Sequence, residues 1–148
     1  MGSKPSKPMI PDRLTPWAFV PDKKFHSTPM QSDFLEYKTI SPDDWFNAAG
    51  EGAIGIGTVR LEVRCGYKGS KAWRFIEFKN VRHVKGSERQ IGREKGEYSN
   101  AKEEPLGSGP GWSDTLVVDT ERRKSLFIVR NGFIYSAPWS SHIGDWSF

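Results

Sequence analysis

The chain has 148 residues, a net charge of +4 and a single cysteine, Cys65. That length makes one domain with roughly two-thirds of its unfolded surface buried, so no disulfide or metal staple is needed. A lone cysteine excludes a disulfide framework and a cysteine zinc site, no apolar run reaches the roughly 18 residues of a spanning helix, and nine Phe, six Trp and four Tyr argue against a disordered chain.

Residues 1–32 hold six of the ten prolines and little hydrophobic periodicity. Proline removes backbone donors and extends its predecessor, so this stretch is expected to form an arm ahead of a β-rich domain over 33–148. Trp17, Phe19, Val20 and Phe25 are the residues that would dock the later part of the arm. DFLEYKTI (33–40) is aromatic and β-branched, which predicts a strand. SPDDWFNAAG predicts a short helix over about 42–49, with Ser41 as cap, Pro42 in the first position, Asp43 and Asp44 at the positive end and Gly50 after the last turn.

TVRLEVRC (58–65) alternates cleanly: Val59, Leu61, Val63 and Cys65 on one face, Arg60, Glu62 and Arg64 on the other. A second strand follows in AWRFIEFKNVRHV, where the muddied alternation predicts a bulge or burial on both faces. Residues 85–113 are polar and glycine-rich and are expected to form a long excursion. DTLVVD (114–119) reads as a strand, and SLFIVRNGFIYSA as two strands joined by Asn131-Gly132, the type I′ hairpin signal. HIGDWSF predicts a final edge strand. Six or more strands, one short helix and no βαβ rhythm point to a mainly-β fold, an antiparallel sandwich or barrel-like domain.

The charge is uneven. Between Arg60 and Lys95 eleven Lys and Arg stand against four Glu, while the rest of the chain is slightly acidic. Such asymmetry points to an anionic partner, a membrane surface or nucleic acid. The candidate contacts are Arg60, Arg64, Lys68, Lys71, Arg74, Lys79, Arg82 and Lys85, with Tyr67 and Trp73 among them.

The opening stretch, MGSKPSKP, bears on the choice. After loss of Met1, Gly2 with Ser3, Lys4, Pro5 and Ser6 fits the M-G-x-x-x-[ST] pattern. This stretch resembles the acylated N-termini of Src-type kinases and of viral matrix and Gag proteins. The resemblance covers eight residues, implies a myristoyl group on Gly2, and is followed by no kinase, SH2 or SH3 pattern. One myristoyl chain binds a bilayer with only about 10⁴ M⁻¹, so a second signal is required. Lys4, Lys7 and the basic stretch supply it, at roughly 1 kcal/mol per cation near an anionic leaflet. The expected function is therefore non-enzymatic: a matrix-like or adaptor protein, cytoplasmic, at the inner face of a membrane, able to bind other proteins or itself. The alternative is a nucleic-acid-binding β module using residues 60–95, although RRM and zinc-finger patterns are missing.

Other motifs carry less. GEGAIG (50–55) matches G-x-G-x-x-G but follows a helix signal and leads into a strand, the reverse of a dinucleotide site, so a connector is expected. Cys65 shares the phase of Val59, Leu61 and Val63 and reads as a small buried hydrophobe. His26, His83 and His142 have no metal or triad spacing, so no enzyme, metal, cofactor or small-molecule substrate is inferred. Trp112, Trp139 and Trp146 in loop or edge contexts leave a carbohydrate-binding sandwich as a further alternative.

Overall fold

The computed structural model describes residues 16–45, 52–66, 73–92 and 100–137. Among them eleven strands form one sheet: β1 (Ala18–Phe19), β2 (Ser27–Thr28), β3 (Phe34–Thr39), β4 (Gly55–Arg64), β5 (Trp73–His83), β6 (Gln90–Ile91), β7 (Ala101–Gly109), β8 (Trp112–Asp119), β9 (Lys124–Arg130), β10 (Phe133–Ile134) and β11 (Ser136–Ala137). Their order is β11-β4-β5-β2-β6-β1-β10-β9-β8-β7, with β3 also against β4. The mainly-β expectation holds.

The finer architecture differs from a purely antiparallel one. β1 lies parallel to β6, and β2 lies parallel to β5. These two-residue strands come from the proline-rich stretch, which is not a mere appendage over its later half. β1 stands between β6 and β10, and β2 between β5 and β6, so residues 18–28 hold the two halves of the sheet together. The side chains agree: Trp17 and Phe19 belong to the buried core, and the Phe19 ring meets Phe127 edge-on at 5.3 Å. Residues 1–15 lie outside the described residues.

The strands form one open ladder that curls back on itself, so that β9 faces β4 and β5 across the core. The N-terminal half of β4 pairs with β3 and its C-terminal half with β11, both antiparallel. β10 and β11 are separated by Tyr135 alone, so the chain steps from the β9 side of the ladder to β4 within one residue. The Tyr135 amide donates to the Ile128 carbonyl at 2.8 Å, while its own carbonyl accepts from the Arg64 amide at 3.0 Å. Inside the curl sit Val59, Phe78, Val81, Ile91, Val117, Phe127 and Ile134, all essentially without solvent contact. Burying each large apolar side chain contributes about 1.5–3 kcal/mol.

Local chemistry explains the connections. The β4–β5 register skips between Gly57↔Val81 and Val59↔Phe78, leaving an extra residue in β5, and Asn80 there has φ +58°. This is the expected bulge, and Asn is among the residues that tolerate a left-handed conformation. At the β9–β10 turn Asn131 and Gly132 have φ of +53° and +85°, the type I′ geometry that the Asn-Gly pair predicts. The Asn131 side chain also ties this turn to its neighbour, accepting from the Ser113 amide at 2.9 Å and donating to the Gly111 carbonyl at 3.2 Å.

Two expectations require correction. The stretch 42–45 does not begin an α-helix: Pro42–Asp44 form a single 3₁₀ turn, and Ser41 makes no side-chain cap bond. The Trp45 indole donates back to the Ile40 carbonyl at 2.8 Å, and the Gly52 amide donates to the Trp45 carbonyl, which draws the chain into a tight return. Residues 46–51 are outside the described set. The excursion expected over 85–113 is in part the strand β7, paired along its length with β8. Its Lys102, Glu103, Glu104 and Pro105 are poor strand formers, but among the described residues β7 is the edge of the sheet, a position that tolerates them. Residues 93–99, and 138–148 with the HIGDWSF expectation, are not among the described residues.

Two ion pairs are built into the sheet. Arg130 makes a two-pronged contact with Asp114, its cross-strand partner on β8, at 2.7 and 2.8 Å. Arg89 grips Asp33 in the same way at 2.7 Å on both prongs, and Thr28 donates a further hydrogen bond to that carboxylate. Asp114 is 1% exposed and the Arg89 side chain 3%, so the charges are largely desolvated. Such a pair adds little against a hydrophobic substitute, but removing one partner strands the other. Asp114→Ala is therefore expected to lower unfolding stability by about 3–5 kcal/mol. Urea unfolding of the variant against the parent checks this, and a loss under 1 kcal/mol would show that Arg130 finds another partner.

Candidate anionic-surface face

The β4–β5 register sorts the basic stretch. Arg60↔Glu77, Glu62↔Phe75 and Arg64↔Trp73 share the outer face, and Val59↔Phe78, Leu61↔Ile76 and Val63↔Arg74 share the inner one. Arg60 and Lys79 are exposed on the outer face, both 3.3 Å from Glu77. Hydrogen bonds from Lys79 and then Arg60 hold the Glu77 carboxyl below its usual range. The carboxylate thus offsets part of the positive charge that the sequence places here.

Two expected contacts stand elsewhere. Arg74 is on the inner face, half-buried, and reaches across to donate to the Ser125 carbonyl on β9 at 2.7 Å. Arg64 keeps the outer phase but is only 4% exposed, with its guanidinium 5.5 Å above the Tyr135 ring. Alternation alone could not separate it from Arg60. A guanidinium on a three-carbon stem can fill a core-facing or covered position while its head finds a carbonyl or a ring. Gly2, Lys4, Lys7, Tyr67, Lys68 and Lys71 lie outside the described residues.

The outer face also carries exposed rings. Phe75 is 63% exposed and Trp73 37%, with the Arg60 guanidinium 5.7 Å from the Phe75 centroid and Trp73 edge-on to Tyr135 at 5.7 Å. Phe75 went unnoticed in the sequence because an apolar residue in a strand defaults to the core. Its pairing with Glu62 across the ladder is the signal that places it outside.

Farther along β5 the face turns strongly basic. Ser27 of β2 pairs with Arg82, bringing the 20–27 segment beside the end of β5. The Arg82 guanidinium lies over the Phe25 ring at 3.8 Å. An open cleft of about 660 Å³ forms there, lined by Lys23, Lys24, Phe25, Ser27, Arg82 and Glu88 among others. Lys85 is exposed in the adjoining turn, closed by the Ser87 amide donating to the Val84 carbonyl at 3.2 Å. Gly92 lets the segments close: a Cβ there would stand 2.5 Å from the Lys23 carbonyl and 2.7 Å from that of Phe25. Lys23 and Lys24 lie outside the 60–95 basic stretch, and the parallel β2–β5 pairing is what brings them beside Arg82.

Beneath the face lies a polar network. Tyr37 on β3 crosses over Gly55, where a Cβ would collide with its ring, and reaches His83 Nδ1 on β5 at 2.7 Å. His83 Nε2 lies 3.2 Å from the Pro29 carbonyl. A carbonyl only accepts, so Nε2 carries the hydrogen and Nδ1 accepts from the phenol. His26, fully buried, accepts at Nδ1 from the Gly92 amide. Among the described residues no three His, Cys, Asp or Glu gather as metal ligands, and Cys65 is half-buried. Trp112, 38% exposed, packs over Gly109 with the Arg130 guanidinium 5.4 Å from its ring.

The chain is thus a mainly-β protein with one curled mixed sheet and an outer face that is aromatic at one end and basic at the other. No protein-family model matches it, no curated protein matches it, and no solved structure matches it.

Burial pushes the Tyr37 phenol above its ordinary value of 10.0. The fold therefore favours the protonated phenol, and that contribution, intact below the ordinary value, is lost as pH rises through the raised one. Subtracting the phenolate absorbance titration of Tyr37→Phe from that of the parent should isolate a phenol titrating above 10.0. A Tyr37 component at or below the ordinary value would contradict the burial.

Proposed function

We propose that the protein attaches peripherally to an anionic membrane on its cytoplasmic side, acting as a non-enzymatic matrix-like or adaptor protein. The observation that carries the reading is the pair of exposed rings, Phe75 and Trp73, on the same sheet face as Arg60 and Lys79. A Trp ring settles at the headgroup level of a bilayer, a Phe ring enters the acyl boundary beneath it, and lysine and arginine stems extend to the phosphates around them.

The magnitudes require more than one contribution. A myristoyl group on Gly2 would give about 10⁴ M⁻¹, a marginal affinity. Arg60 and Lys79 share Glu77, so they add less than free cations would. Lys23, Lys24 and Lys85 at the basic end are the better candidates for the roughly 1 kcal/mol that a cation contributes near an anionic leaflet. Acyl chain, rings and cations would then act together. A second reading has its own support in the Arg60 guanidinium over Phe75 on an open sheet face, an arrangement that can also stack a nucleic-acid base.

Vesicle sedimentation of the full chain, expressed in eukaryotic cells and checked by intact mass, separates the two. Membrane attachment predicts a mass gain of one myristoyl group, binding to phosphatidylserine vesicles that weakens with salt, and a roughly tenfold loss in each of Gly2→Ala and Phe75→Ser. Failure to bind such vesicles, with retained binding to single-stranded oligonucleotide that Phe75→Ser weakens, would replace the membrane reading with the nucleic-acid one.

A further inference from the structure

The cleft between the 20–27 segment and the end of β5 has a composition that a bare anionic surface does not require. Lys23, Lys24 and Arg82 stand in its wall and Lys85 in the adjoining turn, yet Asp22 and Glu88 line the same space. Four cations against two carboxylates leave an excess matching the charge of about −1.5 to −2 carried by a phosphomonoester at neutral pH. The volume of about 660 Å³ far exceeds a single phosphate and falls within the roughly 300–1,000 Å³ of small-molecule sites.

Cations and acceptors are interleaved in this cleft. The Arg82 guanidinium lies 3.8 Å from the Phe25 ring centroid and also donates to the Asn80 carbonyl at 3.4 Å, so its donor fork is oriented before any ligand arrives. Ser27, the cross-strand partner of Arg82, donates its hydroxyl to the Glu88 carbonyl at 3.3 Å, and Ser87 donates to the Val84 carbonyl at 2.8 Å, which leaves both hydroxyl oxygens able to accept. The Asp22 and Glu88 carboxylates are acceptors as well. Acceptors among cations suit a ligand with hydroxyl donors on its body and a phosphate at one end.

We propose that this cleft binds a phosphorylated polyol or sugar, with the phosphate on Arg82, Lys23 and Lys24 and the hydroxyls against Asp22, Glu88, Ser27 and Ser87. The ligand is either the headgroup of an anionic lipid or its soluble counterpart. The inference deepens the membrane reading and rests on it where the lipid is the source.

Calorimetric titration of the full chain with inositol 1,4,5-trisphosphate, inorganic phosphate and unphosphorylated inositol tests the proposal. The expected result is saturable one-to-one binding of the trisphosphate, at least tenfold tighter than inorganic phosphate, and none of inositol. Arg82→Gln and the double variant Lys23→Gln/Lys24→Gln should each weaken binding roughly tenfold with an unchanged melting temperature, and Arg82→Lys should retain part of it. Should Arg82→Gln melt early, the lysine double variant, whose side chains are exposed on a turn, carries the test alone. A preference for vesicles containing phosphatidylinositol 4,5-bisphosphate over phosphatidylserine vesicles of equal charge names the lipid as source; equal binding to both, with saturable trisphosphate binding, names the soluble ester. Lack of saturable trisphosphate binding, inorganic phosphate binding as tightly, or indifference to the lysine double variant overturns the proposal. Phosphatidylserine binding that still depends on Phe75 would leave membrane attachment standing in that event.

Discussion

Tyr135 is the residue on which the curl of the sheet depends. Its amide is bonded to β9 and its carbonyl to β4, so one peptide unit on either side of its Cα joins strands that are far apart along the ladder. Without that crossing, β8 and β9 could not cover the inner face of β4 and β5, and Phe127 would not meet Phe78 at 6.1 Å. The ring of Tyr135 has equally wide effects. It supports the Arg64 guanidinium on one side and the edge of Trp73 on another, and burial raises its phenol above the ordinary tyrosine value. The burial of Arg64 and the partial exposure of Trp73 both follow from that placement.

A second constraint comes from the short strands of the proline-rich segment. Two residues of β1 and two of β2 make few hydrogen bonds, yet they fill the gap between β5 and β10 and bring Trp17, Phe19 and His26 into the core. The Arg89–Asp33 pair fastens this region from the side, with Arg89 6.0 Å from the Trp17 ring. Parallel pairing of β2 with β5 then sets Lys23, Lys24 and Phe25 beside Arg82. The basic end of the outer face is thus made by the same contacts that complete the sheet.

Strands whose order is local were legible in the sequence. TVRLEVRC alternates because one face meets the core, and Asn131-Gly132 adopts positive φ because its side chains allow it. The bulge near Asn80 showed as a broken alternation. What the sequence concealed was non-local. Pro42 and the two aspartates signal a helix start, but Pro42–Asp44 close only a 3₁₀ turn without a Ser41 side-chain cap, and the Trp45 indole returns to the Ile40 carbonyl. β7 reads as a loop because its edge position, visible only in three dimensions, relaxes the need for strand formers. The candidate site divided the same way: Arg60, Lys79 and Lys85 were readable as exposed cations, whereas Arg82 is half-buried against Phe25, and Arg64 and Arg74 were diverted by a ring and a carbonyl distant in sequence. Lys23, Lys24 and Phe75 needed the register itself.

The unconventional composition of β7 has a consequence for crowded copies of the molecule. Proteins held together on a surface present their open strands to one another, and a bare ladder invites lateral polymerisation into fibrils. Among the described residues the outermost strand offers Lys102, Glu103 and Glu104, all exposed, and then Pro105, which has no amide hydrogen to give. A neighbour docking along it would strip water from three charges and find the hydrogen-bond series interrupted at the fourth. An edge of this composition opposes lateral strand pairing between copies.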